Sequence, residues 1–264
     1  MPENKHLKDD PLLPAALCWI GGKKNLKKTI LKHIPEHNTY VEPFMGAGSI
    51  FFGKHLVEKN IVNDVDPELM RFYRHLRDSF CSTIQRCSLP KNVKEFKKAV
   101  SQKGKSSCAY LGVNKKSYGC KMGAPNFVPN PGNTGKRFKE SCGKYSDKLK
   151  KARILNEDYR SVVKRFDSKS TFHYLDPPYV DTWAYGQEPV NPEDVCKVAK
   201  SVKGKVILSY NDHPRVRKAC KGLNFKKVQT TYEMQKSQTG QGKKVSELLI
   251  SNFHLNGGNG HLKD

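Results

Sequence analysis

The sequence has no uninterrupted apolar run approaching the roughly 18 to 20 residues that span a bilayer. Its opening stretch, MPENKHLKDDPLLP, is charged where a secretory signal would be apolar. A soluble intracellular protein is therefore expected, with no membrane partner. Acidic residues are few: 25 Asp plus Glu face 48 Lys plus Arg, leaving a formal charge of +23 on 264 residues, and such a surplus predicts a polyanionic partner. The eight cysteines, at positions 18, 81, 87, 108, 120, 142, 196 and 220, contain no CxxC pair and no regular spacing. That pattern indicates neither a zinc cage nor a disulfide framework, so free, mostly buried thiols and no metal are expected. There is no internal repeat, and 36% hydrophobic residues suffice for the core of one large or two small domains.

The positive charge is unevenly spread. Between Lys91 and Arg153 lie 17 Lys or Arg against three acids, Glu95, Glu140 and Asp147, which is +14 of the total. The same span carries Gly, Pro and Asn clusters (GAPNFVPNPGNTG, 123–135) and the aromatics Tyr110, Tyr118, Phe127, Phe138 and Tyr145. Basic residues on loops with interleaved aromatics suit phosphate contacts and base stacking, so this region is expected to bind nucleic acid.

On either side, short apolar runs alternate with helical stretches. The pattern predicts strands near 39–43, 60–64, 171–176, 205–211 and 245–251, and helices near 24–33, 47–58, 67–80, 158–166, 192–201 and 213–220. Strands alternating with helices imply an α/β fold, a mostly parallel sheet covered on both faces, with the basic region inserted after its second strand. In such sheets ligands bind at the carboxyl ends of the strands.

The first strand end reads Tyr40-Val41-Glu42-Pro43-Phe44-Met45-Gly46-Ala47-Gly48-Ser49, a glycine turn that lets backbone approach a ligand. The second strand ends in Asn63-Asp64, an acid placed about 20 positions downstream to accept from ribose hydroxyls. The dinucleotide spacing fails because position 51 is Phe, no Walker lysine follows, and Glu42 would repel a pyrophosphate. A carboxylate there suits a cationic cofactor, and the nucleoside cofactor carrying a sulfonium and an ammonium is S-adenosylmethionine. A third strand runs into Asp176-Pro177-Pro178-Tyr179. An exocyclic amino group on a base is a poor nucleophile, because its lone pair is delocalised into the ring. The Asp176 carboxylate can take one N–H and the Pro177 carbonyl the other, with Pro178 helping to fix that carbonyl's direction, and Tyr179 offers a face for a flipped base.

With these motifs in this order, the chain resembles Dam-type DNA adenine-N6 methyltransferases from about Cys18 to Phe253. The likeness extends to Trp19-Ile20-Gly21-Gly22-Lys23, to Leu208-Ser209-Tyr210-Asn211-Asp212, and to the segment from Thr239 through Glu247 to Ile250. The resemblance implies a Rossmann-like S-adenosylmethionine methyltransferase sheet with helices on both faces and a smaller, mainly helical target-recognition domain set into it. Expected boundaries are 15–80 with 154–254 for catalysis, 81–153 for DNA reading, and flexible termini at 1–14 and 255–264. The implied activity is methylation of N6 of an adenine flipped out of double-stranded DNA. Trp19, Gly21, Gly22 and Lys23 would line the methionine end of the cofactor, with Glu42, Pro43, Phe44, Gly46, Gly48 and Ser49 forming its turn. Asp64 would hold the ribose, Val65 and Tyr159 would pack the adenine, and Asp176 would sit between donor and target. The stretch from Thr239 to Gly242 would be a mobile loop beside the cleft.

The departures from the family fall in the recognition region, where Lys115 stands in place of a usual Arg and an Arg-rich hairpin is missing or rewritten. The resemblance implies DNA contacts by Asn114, Lys115, Lys116, Tyr118, Lys121, Asn126, Lys136 and Arg137, with the recognition sequence left open. A monomer or weak dimer on DNA is expected, with a cognate restriction endonuclease as a possible partner. Competing readings are a cytosine-N4 enzyme, which usually has Ser at position 176, an RNA amino-methyltransferase, and a DNA-binding protein that has lost catalysis. A cytosine-C5 enzyme would need a Pro-Cys pair, and none occurs.

Overall fold

The computed structural model describes residues 10–19, 21–23, 25–129, 134–181, 190–236 and 242–255. In chain order the elements are α1 (Lys27–His33), β1 (Thr39–Glu42), β2 (Lys59–Asn63), α2 (Pro67–Asp78), α3 (Phe80–Thr83), α4 (Val93–Gln102), α5 (Ser107–Lys116), α6 (Thr134–Lys150), β3 (Arg153–Leu155), α7 (Tyr159–Phe166), β4 (Thr171–Leu175), α8 (Pro192–Ser201), β5 (Lys205–Asn211), α9 (Pro214–Ala219), β6 (Asn224–Lys236) and β7 (Gly242–Ser251). The sheet runs β3-β2-β1-β4-β5-β7-β6. The first five strands are parallel, and β7 and β6 are antiparallel additions at one edge. The chain moves outward from β1 to one side and from β4 to the other, so the switch point lies between these two strands.

Residues two apart share a face of a strand, and the strand sequences obey this. Tyr40, Phe172, Tyr174, Ile207 and Leu249 join the packing of α1 and α2. Their neighbours Leu175, Val206, Leu208, Tyr210, Leu248 and Ile250 pack on the other face against α7, α8 and α9. Every residue of β4 is buried, as a central strand covered on both sides requires.

The helices of 80–150 lie between α2 and β3. Phe80, Tyr110, Phe138, Tyr145 and Leu149 pack into the same core as Phe72 and Tyr73 of α2, while Phe96, Ala99, Ala109 and Val113 form a small cluster between α4 and α5.

Four expectations are corrected. No helix forms over 47–58: Gly48 N bonds Met45 O, Phe52 N bonds Gly48 O and Gly53 N bonds Ile50 O in successive turns. Ile50, Phe51 and Phe52 are all fully buried, and three consecutive buried apolar residues suit a turn sunk in the core better than a one-sided helix. The strands β3 and β6 were not expected; one has three residues, and the other is an edge strand rich in Lys and Thr, which lacks an apolar run because it need not be covered on both faces. Residues 10–14 are not a loose terminus: Asp10 pairs with Lys148 at 2.7 Å and Leu13 N bonds Phe52 O at 2.8 Å. At the other end Leu255 is buried; residues 1–9 and 256–264 lie outside the described residues.

The cysteines, expected as free thiols, are paired in four disulfides: Cys18–Cys120, Cys81–Cys142, Cys87–Cys108 and Cys196–Cys220. Their Cα separations, 5.5, 5.6, 5.3 and 5.0 Å in that order, lie in the range of such bonds. Partners stand 102, 61, 21 and 24 residues apart, distances at which linear spacing carries no signal.

Candidate active site

The carboxyl ends of β1, β2 and β4 open onto one cleft of about 1220 Å³. Trp19, Gly21, Gly22, Lys23, Glu42, Pro43, Phe44, Gly46, Ser49, Asp64, Val65 and the run from Asp176 to Tyr179 all line it, as does Tyr159. Gly48 does not; it sits beneath the turn, where an added Cβ would lie 2.6 Å from the Phe52 ring.

Local chemistry explains the turn after β1. Gly46 has φ +47°, and a Cβ there would strike the Trp19 indole at 2.9 Å, so only glycine lets that ring close over the turn. Tyr73 of α2 donates its hydroxyl to Gly46 O at 2.9 Å, and Gly46 N donates to Asp64 Oδ2 at 2.9 Å. Asn63 ties the neighbouring strand ends together, its Nδ2 donating to Pro43 O and Glu157 O, both at 3.0 Å.

The start of α2 and the Asn156 side chain hold Asp64 in place. Asp66 caps α2, its Oδ1 accepting from Glu68 N at 2.9 Å and Leu69 N at 3.1 Å, with Pro67 at the first helical position. Asn156 Nδ2 donates to Asp64 O at 2.8 Å and Val65 O at 3.1 Å. Val65 is left 56% exposed and lines the cleft together with Tyr159, whose ring rests 4.9 Å from Phe44. Burial pushes the Asp64 carboxyl up to about 6 against the pull of the Gly46 and Asp66 amides.

Glu42 is buried and accepts from the Tyr40 hydroxyl at 2.7 Å. Desolvation pushes its carboxyl up to about 8, the Tyr40 hydrogen bond opposes this, and the charge of Asp176 adds to it. With carboxylates gathered at the strand ends, the cleft is built for a ligand that brings positive charge.

Asp176 follows β4, and its side chain is 18% exposed. Lys23 Nζ, buried, lies 2.7 Å from Asp176 Oδ1, bonds Gly21 O at 2.8 Å, and stands 4.7 Å over the Tyr179 ring. Burial raises the Asp176 carboxyl to about 6, Lys23 pulls it down, and Glu247 pushes it up. The Tyr179 hydroxyl donates to Glu247 Oε2. In sequence Glu247 stands within a strand and a family-like segment but carries no role of its own; no spacing signal marks Asn63 or Asn156.

The residues expected on the DNA face divide. Tyr118 is 66% exposed, and Lys121, Asn126, Lys136 and Arg137 are exposed, with Lys116 half-buried beside Phe127. Asn114 and Lys115 are corrected: both are interior. Asn114 accepts from Cys18 N at 3.1 Å and donates to Cys18 O at 2.7 Å. Lys115 Nζ donates to Ala16 O at 3.1 Å and lies 5.3 Å over the Phe138 ring. These two residues fasten α5 to the segment that carries Trp19, so Asn114 and Lys115 brace the fold instead of meeting solvent. The insert still reaches the cleft, through Lys103, Cys120, Met122 and Gly123. Of the stretch from Thr239 to Gly242, expected as a mobile loop, residues 239–241 lie outside the described residues and Gly242 opens β7.

The seven-stranded sheet flanked by helices is that of a Rossmann-like methyltransferase fold. The sequence pattern of the D12 class of N6 adenine-specific DNA methyltransferases matches residues 19–118 and 127–234, and the chain belongs to that family. It is similar to the DNA adenine methylase of Vibrio cholerae serotype O1, 26% identical over 264 aligned residues covering 89% of this chain and 94% of that one. A type II methyltransferase of Lactococcus lactis subsp. cremoris is 26% identical with the same coverage, and the DNA adenine methylase of Escherichia coli K12 is 25% identical, again covering 89% and 94%. The chain is a Dam-type DNA adenine-N6 methyltransferase, and DNA is its substrate. Among the described residues no helix is long and apolar enough to cross a membrane.

Proposed function

We propose that the chain transfers a methyl group from S-adenosylmethionine to N6 of an adenine flipped out of double-stranded DNA at a specific sequence. The observation that carries this reading is the convergence of Glu42, Asp64 and Asp176 on one cleft. The donor set fits the cofactor: Asp64 for ribose hydroxyls, the exposed Val65 and the Tyr159 ring for the adenine, buried Glu42 for the cationic end, and Trp19 closed over the glycine turn. When bound, the cofactor supplies an electrophilic methyl on a sulfonium. The protein's own part is to bind and orient. Asp176 and the Pro177 carbonyl accept the two N–H bonds of the target amine and so free its lone pair, and Tyr179 stacks the base.

Residues 81–153 serve as the target-recognition region, with Lys116, Tyr118, Lys121, Asn126, Lys136 and Arg137 toward the duplex, acting as a monomer or weak dimer. Likeness to a type II methyltransferase supports a modification role beside a cognate restriction endonuclease, inside the cell where the DNA lies. Labelled S-adenosylmethionine with unmodified duplex DNA should place label on adenine N6. Label absent from DNA but present on single-stranded RNA would overturn the reading. Modified-base sequencing of DNA from a methylation-free host expressing the chain will read the recognition site.

A further inference from the structure

We propose that Glu247 is a positioning residue for methyl transfer, its carboxylate holding the Tyr179 hydroxyl and thereby setting the plane on which the target base stacks. The inference rests on the reading that an adenine flips onto Tyr179.

Glu247 belongs to β7, whose antiparallel register pairs it with Asn211, the last residue of β5. That register is what brings an acid from an added antiparallel strand to the edge where the parallel strands end. Its successors Leu248, Leu249 and Ile250 are fully buried core residues, and Glu247 itself is 3% exposed. A carboxylate sunk in such a strand is costly unless a donor satisfies it. One donor is the Tyr179 hydroxyl, which belongs to the catalytic segment and not to the sheet's own framework.

Tyr179 is thereby held at several points. Glu247 takes its hydroxyl, Lys23 Nζ stands 4.7 Å over its ring, and the Tyr210 ring lies 5.7 Å away at 31°. Lys23 also contacts Asp176 at 2.7 Å. One ammonium therefore joins the base platform to the amine acceptor, and Glu247 fixes the far end of that assembly. A tyrosine free to swing about χ1 and χ2 would have to be ordered anew by each incoming base, whereas a held ring leaves the amine facing Asp176. The Glu247 charge also helps raise the Asp176 carboxyl, as expected for two acids sharing one cleft.

The test uses the full chain, S-adenosylmethionine, and a duplex carrying the sequence found by modified-base detection, with E247A, E247Q, Y179F and the double variant E247A/Y179F. Single-turnover methylation should fall about tenfold in both E247A and Y179F, less than the roughly 10²-fold cost of a 1 Å misplacement because Lys23 and Tyr210 still hold the ring, while DNA and cofactor Kd values stay within about twofold. The double variant should be no slower than either single one. E247Q, whose amide oxygen still accepts from the hydroxyl, should remain within about threefold of wild type. Wild-type rates in Y179F, or a further tenfold loss when E247A is added to Y179F, would overturn the proposal. Should E247A fail to fold, Y179F and E247Q decide it alone: a slow Y179F with a fast E247Q supports the role, and any other pair overturns it. A separate reading guards the premise, since absence of a fluorescence rise from 2-aminopurine at the target position in wild type would defeat base flipping itself.

Discussion

The strand ends and the helical insert carry opposite charge, and in each region burial decides what a charge does. At the strand ends the acids are interior or half-buried, and burial has moved them away from ordinary carboxylate behaviour, Glu42 to about 8 and both Asp64 and Asp176 to about 6. In the insert most Lys and Arg are exposed, and two exceptions show the contrast. Lys115 serves Ala16 O, and burial holds its ammonium down at about 8. Lys148 is 1% exposed and gathers Asp10 with the carbonyls of Pro11, Phe52 and Lys54. A lysine counted toward DNA binding by composition can thus be an internal clamp.

The largest effect expected from breaking the acidic side is in catalysis. Asp176→Ala should lower the single-turnover rate by about 10³-fold, the scale of a lost acceptor at the reacting centre, while duplex affinity stays within about threefold. Equal loss of both would show that the variant had unfolded. The helical region holds most of the covalent bracing, since three of the four disulfides, Cys18–Cys120, Cys81–Cys142 and Cys87–Cys108, touch it. Cys81–Cys142 spans 61 residues, for which loop-closure entropy gives roughly 4 kcal/mol. Replacing both cysteines by serine should lower Tm and weaken DNA binding before cofactor binding, as calorimetry and parallel titrations would show. Thiol titration of protein purified without reductant should find all eight cysteines unreactive.

Much of this contrast was legible in sequence, for physical reasons that also mark the limit. The strands β1, β4 and β5 announced themselves because central strands are apolar throughout, and their ends carry residues that punctuate: Pro43, Gly46, Pro177. The edge strand β6 has no such run. Residues 47–58 misled because glycines beside Ile50, Phe51 and Phe52 look like a helix start, although no stripe of exposed positions comes after them. Charge was legible as a total but not by depth, so Lys115 and Asn114 were placed with the exposed cations. Glu247 lay in a family-like segment but had no legible role, because its meaning comes from pairing with β5, a contact between segments far apart in the chain.

A milder effect should appear in cofactor binding. Glu42, pushed up to about 8 by burial although the Lys54 ammonium pulls it down, is largely protonated at neutral pH. A bound cation favours the ionised form and lowers that pKa, so binding releases a proton. Affinity for S-adenosylmethionine should therefore rise with pH toward about 8 and level off above it. Titration calorimetry in buffers of different ionisation enthalpy would reveal the proton, and Glu42→Gln should abolish both the release and the pH dependence.

The smallest effect sharpens the comparison most. If Lys121, Lys136 and Arg137 touch phosphate, replacing each by Gln should reduce the slope of log K against log salt by about 0.9, with Tm unchanged. Lys115→Met should do the reverse. It leaves the salt slope alone, because its ammonium never meets the duplex, and lowers stability by about 1 to 3 kcal/mol, because it strips a donor from the buried Ala16 carbonyl. Binding isotherms across a salt series, paired with thermal melts of the same four proteins, separate the outcomes. A slope change in Lys115→Met would mean that α5 opens when DNA binds, whereas a Tm loss in the exposed variants would assign those lysines to the fold.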